Sequence, residues 1–213
     1  MPDAVAFDND GLLLDTEEAW TRAEVTLFAR HGSRFTLDHK RELIGSSRAV
    51  AQAKLERMLV APGDGPALMD ELHQLVMEEA ARGVEPMPGA LDLLADLAAA
   101  GTPLALVSNS ARDFVELTLR TAGVRERFAV VLSADDVEHP KPAPDLYLAA
   151  CAALGTEPAR TTGLEDSPTG VAALRAAGLV AVGIPSLEGV VLDDADVVAA
   201  SLAAPEVRRA LGL

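Results

Sequence analysis

Short apolar runs alternate with helical segments over most of this 213-residue sequence. The apolar runs predict buried strands at 4–7, 104–107, 129–132, 161–164, 179–182 and 195–198. Segments with the apolar spacing of a helix separate most of these runs from Met87 onward. Alternation of this kind is typical of a parallel sheet with helices on both faces. The sequence therefore predicts an α/β fold built on a doubly wound parallel sheet.

Residues 15–83 differ from the rest, because their apolar residues recur only at helical spacing. Asp15 and Glu18 have the spacing of a capping box at the start of the first of these helices. We therefore predict an all-helical domain at 15–83. The α/β core domain would then consist of residues 1–14 and 84–213.

Charge and cysteine content limit the possible partners and compartment. The formal net charge is −15, which argues against nucleic acid or an anionic membrane as a partner. The single cysteine, Cys151, cannot form an intrachain disulfide and is expected to be a buried apolar residue. The sequence starts without a signal-peptide pattern, and no run of 18 apolar residues predicts a membrane span. We expect a cytoplasmic protein.

Polar side chains follow four of the predicted strands. They belong to the segments Asp8-Asn9-Asp10-Gly11, Ser108-Asn109-Ser110, His139-Pro140-Lys141-Pro142 and Glu165-Asp166-Ser167. The carboxyl ends of parallel strands meet at one edge of the sheet, which is where such folds bind ligands. Carboxylates, hydroxyls, an amide and one lysine at this edge predict a site for a divalent cation and a phosphate.

The residue types indicate separate roles within this site. Asp8 and Asp166 are the best carboxylate ligands for Mg²⁺, with a backbone carbonyl near Asp10 as a third ligand. Carboxylates also form covalent phosphoryl intermediates, and Lys141 and Ser108 can neutralise the phosphoryl oxygens. Asp10 can protonate the leaving oxygen and later deprotonate the attacking water.

Four segments, taken together, resemble the four motifs of the haloacid dehalogenase superfamily, in the family's order. They are Phe7-Asp8-Asn9-Asp10-Gly11-Leu12-Leu13-Leu14-Asp15-Thr16-Glu17, Val107-Ser108-Asn109-Ser110, Lys141-Pro142-Ala143-Pro144-Asp145 and Leu164-Glu165-Asp166-Ser167-Pro168-Thr169-Gly170. The helical insertion after the first motif looks like the small cap of the beta-phosphoglucomutase-like subgroup. The resemblance covers the whole chain.

The resemblance implies an aspartyl-phosphate mechanism on a small phosphorylated substrate. Asp8 would be the nucleophile and Asp10 the general acid and base. The phosphate would be held by Ser108, Asn109 and Lys141. A monomer is the expectation for this family.

The resemblance also implies a Mg²⁺ cofactor. Asp8, Asp10 and Asp166 would be its ligands. Glu165 would be either a direct ligand or a neighbour that supports the ligands, since this position varies between members of the family.

The reaction itself is left with three alternatives. The presence of Asp10 favours phosphate chemistry over dehalogenation, and a phosphatase of sugar phosphates is the first prediction. A hexose-phosphate mutase is the second, and Arg48 resembles its phosphate clamp; however, Ile44 and Trp20 stand where that mutase has lysine and histidine. A non-catalytic regulator that binds a phosphometabolite is the third. Trp20 and Arg48 are the predicted specificity residues of the cap, although a place in the apolar core of the cap is the favoured interpretation of Trp20 and a solvated helix start is an equal alternative for Arg48. Lys40 lies in no recognisable motif.

Overall fold

A parallel sheet forms the centre of the molecule. The computed structural model describes residues 1–187 and 189–213. Within these residues six strands pair in parallel in the order β3-β2-β1-β4-β5-β6. They are β1 (Ala4–Phe7), β2 (Leu104–Val107), β3 (Val130–Leu132), β4 (Thr161–Glu165), β5 (Val180–Gly183) and β6 (Val197–Val198). The strands are short and apolar because both faces of a parallel sheet are covered.

Helices cover both faces of this sheet, since side chains alternate between its faces along each strand. Val5 and Phe7 of β1 belong to one apolar cluster, and Ala6 belongs to the other. The helices are α1 (Glu17–Arg30), α2 (Leu37–Leu43), α3 (Arg48–Leu59), α4 (Gly65–Ala80), α5 (Ala90–Ala99), α6 (Arg112–Thr121), α7 (Asp145–Leu154), α8 (Pro168–Ala177) and α9 (Pro205–Leu211). Cys151 is buried in α7, as expected. The predicted doubly wound α/β fold is confirmed.

Four consecutive helices, α1 to α4, separate β1 from α5, and we call them the helical insert. Two adjacent chain segments connect the insert to the sheet. The Asp15 amide donates to the Glu85 carbonyl at 2.8 Å, and the Met87 amide donates to the Leu13 carbonyl at 2.9 Å. The entry and exit of the insert therefore lie side by side.

The start of α1 differs from the prediction of a capping box at Asp15. Thr16 is the N-cap residue, and its side chain makes no capping hydrogen bond. Its hydroxyl instead donates to the Asp10 carboxylate at 2.8 Å. The charged acceptor at the end of β1 thus replaces the local contact that the spacing indicated, because hydrogen bonds to ionised groups are stronger than neutral ones.

None of the helices in the described part of the chain is both long enough and apolar enough to cross a bilayer.

Candidate active site

The three central strands bring the predicted site together at their carboxyl ends. Phe7 of β1 pairs with Leu106 of β2 on one side and with Leu164 of β4 on the other. The residues that follow these positions are therefore level with one another across the sheet. Side chains of the segments beyond these strand ends, among them Asp8, Asn109 and Asp166, line the floor of a cavity of about 140 Å³, and residues of the helical insert line the rest of it.

Lys141 lies at the centre of this floor. Its ammonium donates to the Asp8 carboxylate at 2.6 Å, to the Glu165 carboxylate at 2.6 Å and to the Val107 carbonyl at 2.8 Å. Burial disfavours the charged ammonium, but the charges of Asp8 and Glu165 outweigh it and raise the pKa of Lys141. Lys141 is therefore a fixed cation, as its position between two prolines suggested.

Three carboxylates surround this one lysine. Oxygens of Asp8, Glu165 and Asp166 lie within 4.8 Å of one another, and all three side chains are buried. Burial and the neighbouring carboxylates raise the pKa values of Asp8 and Asp166 well above the usual range. One ammonium offsets only one of the three charges, so a further cation is needed to keep all three ionised. This donor set fits Mg²⁺, which prefers oxygen ligands and needs only one or two carboxylates from the protein.

Two more side chains hold these carboxylates in place. The buried Tyr147 hydroxyl donates to Glu165 at 2.5 Å, and the Ser186 hydroxyl donates to Asp166 at 2.6 Å. Burial and the charge of Glu165 raise the pKa of Tyr147 well above its usual range, so the hydroxyl keeps its proton. The sequence analysis named neither residue. Tyr147 is the only tyrosine of the chain, six residues after Lys141, which is the one signal the sequence offers.

Hydroxyl groups, rather than Lys141, hold the Asp10 carboxylate. This carboxylate accepts hydrogen bonds from the Ser108 and Ser110 hydroxyls, each at 2.8 Å, and from the Thr16 hydroxyl. Ser108, predicted to contact phosphate, is fully buried and contacts Asp10 here. Asp10 thus makes no ion pair with Lys141, whose carboxylate partners are Asp8 and Glu165, and a carboxylate without a fixed cation suits a proton-transfer role. That Asp10 is a metal ligand stays a prediction. The predicted ligand atom is a backbone carbonyl near Asp10, not the Asp10 carboxylate.

Asn109 links the segment that follows β2 to the segment that contains Lys141. Its side-chain oxygen accepts from the Lys141 amide at 2.9 Å, and its side-chain nitrogen donates to the Lys141 carbonyl at 3.0 Å. The same nitrogen reaches the Gly45 carbonyl of the helical insert at 3.4 Å. Asn109 therefore fixes the backbone of Lys141 and also lies at the boundary between insert and core.

The two specificity residues predicted in the insert both line the cavity. The Trp20 ring packs 5.3 Å from the Phe114 ring of α6, measured between centroids, and contacts the main apolar cluster. Trp20 therefore combines a packing role with a place in the cavity wall. Arg48 begins α3 and forms an ion pair with Asp70 at 2.5 Å.

The insert adds an ionic cluster that the sequence analysis missed. Lys40 of α2 lies 2.7 Å from Glu17 and 3.1 Å from Glu24, both on α1, and all three line the cavity. Desolvation raises the pKa of Glu24 to about 7 despite the nearby ammonium of Lys40. One signal was available, because Glu24 falls between the buried Ala23 and Leu27 on the apolar side of α1.

Comparison with known proteins shows which family has this sequence. A family model described as haloacid dehalogenase-like hydrolase matches residues 2–178. The validoxylamine A 7'-phosphate phosphatase of Streptomyces hygroscopicus subsp. limoneus is 35% identical over 200 residues, which cover 90% of each chain. The fructose-1-phosphate phosphatase of Escherichia coli (strain K12) is 33% identical over 182 residues, covering 84% of this chain and 94% of the other.

A solved structure agrees in fold as well as in sequence. CbbY from Rhodobacter sphaeroides, in complex with phosphate, superposes with a TM-score of 0.83 at 30% identity. The match covers 95% of this chain and 96% of CbbY.

Proposed function

The chain belongs to the family of haloacid dehalogenase-like hydrolases, its relatives include named phosphatases, and we propose that it hydrolyses sugar phosphates or similar small monoesters through a phosphorylated Asp8. The observation that carries this proposal is the position of Asp8. It lies beside the fixed ammonium of Lys141 and the carboxylates of Glu165 and Asp166, on the floor of a covered cavity. Relatives named as phosphatases of validoxylamine A 7'-phosphate and of fructose 1-phosphate support it.

In the first step, an oxygen of Asp8 attacks phosphorus and the ester bond to the leaving oxygen breaks. Asp10 gives its proton to that oxygen, so the alcohol leaves neutral. Lys141 offsets the charge of the phosphoryl oxygens, and Asn109 lies beside it in the cavity wall, where it can orient them. A contact from Ser108 to the phosphoryl group would require its hydroxyl to exchange the hydrogen bond that it donates to Asp10. In the second step, Asp10 removes a proton from water, the water oxygen attacks phosphorus, and the bond to Asp8 breaks to release inorganic phosphate.

Asp8, Asp166, Glu165 and the Asp10 backbone carbonyl would hold Mg²⁺. The bound ion supplies positive charge to the phosphoryl group and keeps the buried carboxylates ionised. The hydrogen bonds that Asp10 accepts from Ser108, Ser110 and Thr16 fix its carboxylate in the wall of the same cavity, where it could reach the leaving oxygen.

Hydrolysis is favoured over the alternative of a hexose-phosphate mutase. A mutase has to hold a second phosphate in the insert, which requires an available cation. Among the described residues that line the cavity, each basic side chain of the insert already has a carboxylate partner: Lys40 has Glu17 and Glu24, Arg48 has Asp70, and His73 has Asp113.

We further propose that residues 15–83 act as a cap on a core of residues 1–14 and 84–213. The adjacent connecting segments at Asp15 and Glu85 would serve as its hinge. Closing the cap would exclude water while Asp8 is attacked. The cytoplasmic location, the monomeric state and the lack of a nucleic-acid partner stay predictions from the sequence.

A panel of phosphate monoesters, assayed for released phosphate, tests the proposal. We expect turnover of p-nitrophenyl phosphate and of sugar phosphates, loss of turnover in EDTA, and recovery on adding Mg²⁺. The Asp8→Asn variant should lose roughly 10⁴-fold or more in kcat, by analogy with the removal of other nucleophiles. Full turnover by Asp8→Asn would contradict the mechanism. Isomerisation of a hexose phosphate without phosphate release would favour the mutase, and no turnover together with no binding of beryllium fluoride and Mg²⁺ would favour the regulator.

A further inference from the structure

The ionic cluster of the helical insert, Glu17, Glu24 and Lys40, has no part in the proposed phosphate chemistry. Lys40 and Glu24 are almost fully buried, with 8% and 4% of their side-chain surfaces exposed, and Glu17 is 17% exposed. All three nevertheless line the cavity that contains Asp8 and Lys141. With a phosphate beside Asp8 and Lys141, these three side chains would therefore face the remainder of the substrate.

A buried ionic cluster of this kind is not explained by stability alone. Apolar residues of similar size in the same positions are often as stabilising or more so, because burying charges costs desolvation energy. The surroundings are apolar, since Leu43, Met69 and Leu72 line the same cavity. We therefore interpret the charged groups in this wall as contacts for a polar ligand.

The charges of the cluster indicate which ligand that is. Two carboxylates offer hydrogen-bond acceptors, while the one ammonium is already shared between them. Hydroxyl and amine groups of a ligand can donate to these carboxylates. A hydroxyl oxygen can also accept from the Lys40 ammonium, and a protonated amine can replace that ammonium as a partner of one carboxylate. A second phosphate would instead bring two further negative charges to a cluster with no positive charge to spare.

We propose that Glu17, Glu24 and Lys40 recognise the non-phosphate end of the substrate, that this end is an uncharged or amine-bearing polyol, and that the cluster excludes bisphosphates. This inference rests on the proposed phosphatase function and adds the substrate class. The small cavity is consistent with a compact monophosphate. Glu17, as the most exposed member, makes the outermost contact, and Lys40 positions both carboxylates from behind.

The first test uses the unaltered enzyme with Mg²⁺. We compare kcat/KM for p-nitrophenyl phosphate, fructose 1-phosphate, glucose 6-phosphate, a 2-amino-2-deoxyglucose 6-phosphate and fructose 1,6-bisphosphate. At least one polyol monophosphate should exceed p-nitrophenyl phosphate, and the bisphosphate should fall at least tenfold below the best monophosphate. A bisphosphate that equals the best monophosphate, or a panel on which no polyol exceeds p-nitrophenyl phosphate, overturns the inference. Absence of all turnover would instead contradict the proposed function.

The second test uses Glu17→Gln, Glu24→Gln and Lys40→Gln, with Glu79→Gln as the matched control. Glu79 is a carboxylate of the same insert that is paired with Arg22 and Arg82 and does not line the cavity. In the three cluster variants, the loss of kcat/KM should be at least tenfold greater for the best polyol monophosphate than for p-nitrophenyl phosphate, mainly through KM. Equal losses on both substrates would indicate a purely structural role and overturn the inference. Should the buried variants fail to fold, Glu17→Gln alone decides.

Discussion

At the residue scale, the position of the Glu165 carboxylate depends on the lack of a side chain at Gly170. Gly170 lies in the first turn of α8, and a Cβ atom placed there would come within 1.9 Å of the Glu165 carboxyl carbon. Tyr147 and Lys141 hold the same carboxylate from the other side. The carboxylate thus has one position, which the absence of a side chain at Gly170 makes available.

We predict that Gly170→Ala reduces activity although alanine favours helices over glycine by about 0.5–1 kcal/mol. The methyl group would displace Glu165 and with it the Lys141 contact, and a displacement of about 1 Å can cost on the order of 100-fold in rate. Steady-state kinetics over a Mg²⁺ titration measure the effect. Ala172→Ser, which adds one atom to the exposed side of the same helix, should stay within about twofold of the parent. Parent-level activity in Gly170→Ala would show that Glu165 is free to move.

At the element scale, α1 and α2 are joined by the buried contact between Glu24 and Lys40. The groups that face Glu24 are Lys40 and Glu17, and desolvation raises its pKa from 4.5 to about 7. The folded chain therefore keeps a proton on Glu24 that the unfolded chain releases at lower pH. Its contribution to stability is complete below about pH 4.5 and is lost as the pH rises towards 7.

We predict that this loss disappears in Glu24→Gln. The free energy of unfolding of the parent, relative to the variant, should fall by at most about 3 kcal/mol between pH 5 and 7.5, since each pKa unit is worth about 1.4 kcal/mol. Urea denaturation in EDTA at several pH values measures this difference. Glu79→Gln should show no such trend over this range. A parent-to-variant difference that is constant with pH would contradict the raised pKa of Glu24.

Some residues of the site were predictable from the sequence, and others were not. Asp8, Lys141, Glu165 and Asp166 were predictable together, because each follows an apolar strand and parallel strands end at one edge. Glu24 and Lys40 were not, because they lie on different helices, and their meeting depends on how α1 packs against α2. The start of α1 was predicted wrongly for a related reason. Local spacing indicated a cap at Asp15, whereas the hydroxyl of Thr16 contacts Asp10 across the connection to the insert.

At the scale of the whole molecule, the insert touches the core where Trp20 meets Phe114 and where His73 of α4 meets Asp113 of α6 at 2.8 Å. These contacts lie away from the paired connecting segments at Asp15 and Glu85. A rotation of the insert about those segments would change the surroundings of Trp20. Trp20 is the only tryptophan of the chain, so the tryptophan fluorescence reports on the surroundings of this one position, and scattering separates a rotation of the insert from a local change in the cavity.

We predict that beryllium fluoride with Mg²⁺, which imitates a phosphorylated aspartate, shifts the Trp20 emission to shorter wavelength and reduces the radius of gyration. Both changes follow from closure of the cap over Asp8 and exclusion of water from the cavity. Fluorescence and small-angle X-ray scattering are recorded with and without the additions, and Asp8→Asn serves as the control that should not respond. Identical emission and scattering in the parent would contradict cap closure.

The proposed mechanism depends on the phosphorylation of Asp8. Trapping phosphorylated Asp8 during turnover tests this mechanism directly. The enzyme is quenched in acid while hydrolysing p-nitrophenyl phosphate with Mg²⁺, reduced with borohydride, and digested for tandem mass spectrometry. An acyl phosphate is reduced to an alcohol, so a phosphorylated aspartate becomes homoserine. We predict homoserine at position 8, dependent on substrate and absent from EDTA-treated enzyme. Homoserine at position 10 or 166, or none at position 8 while phosphate is released at the full rate, would contradict this mechanism.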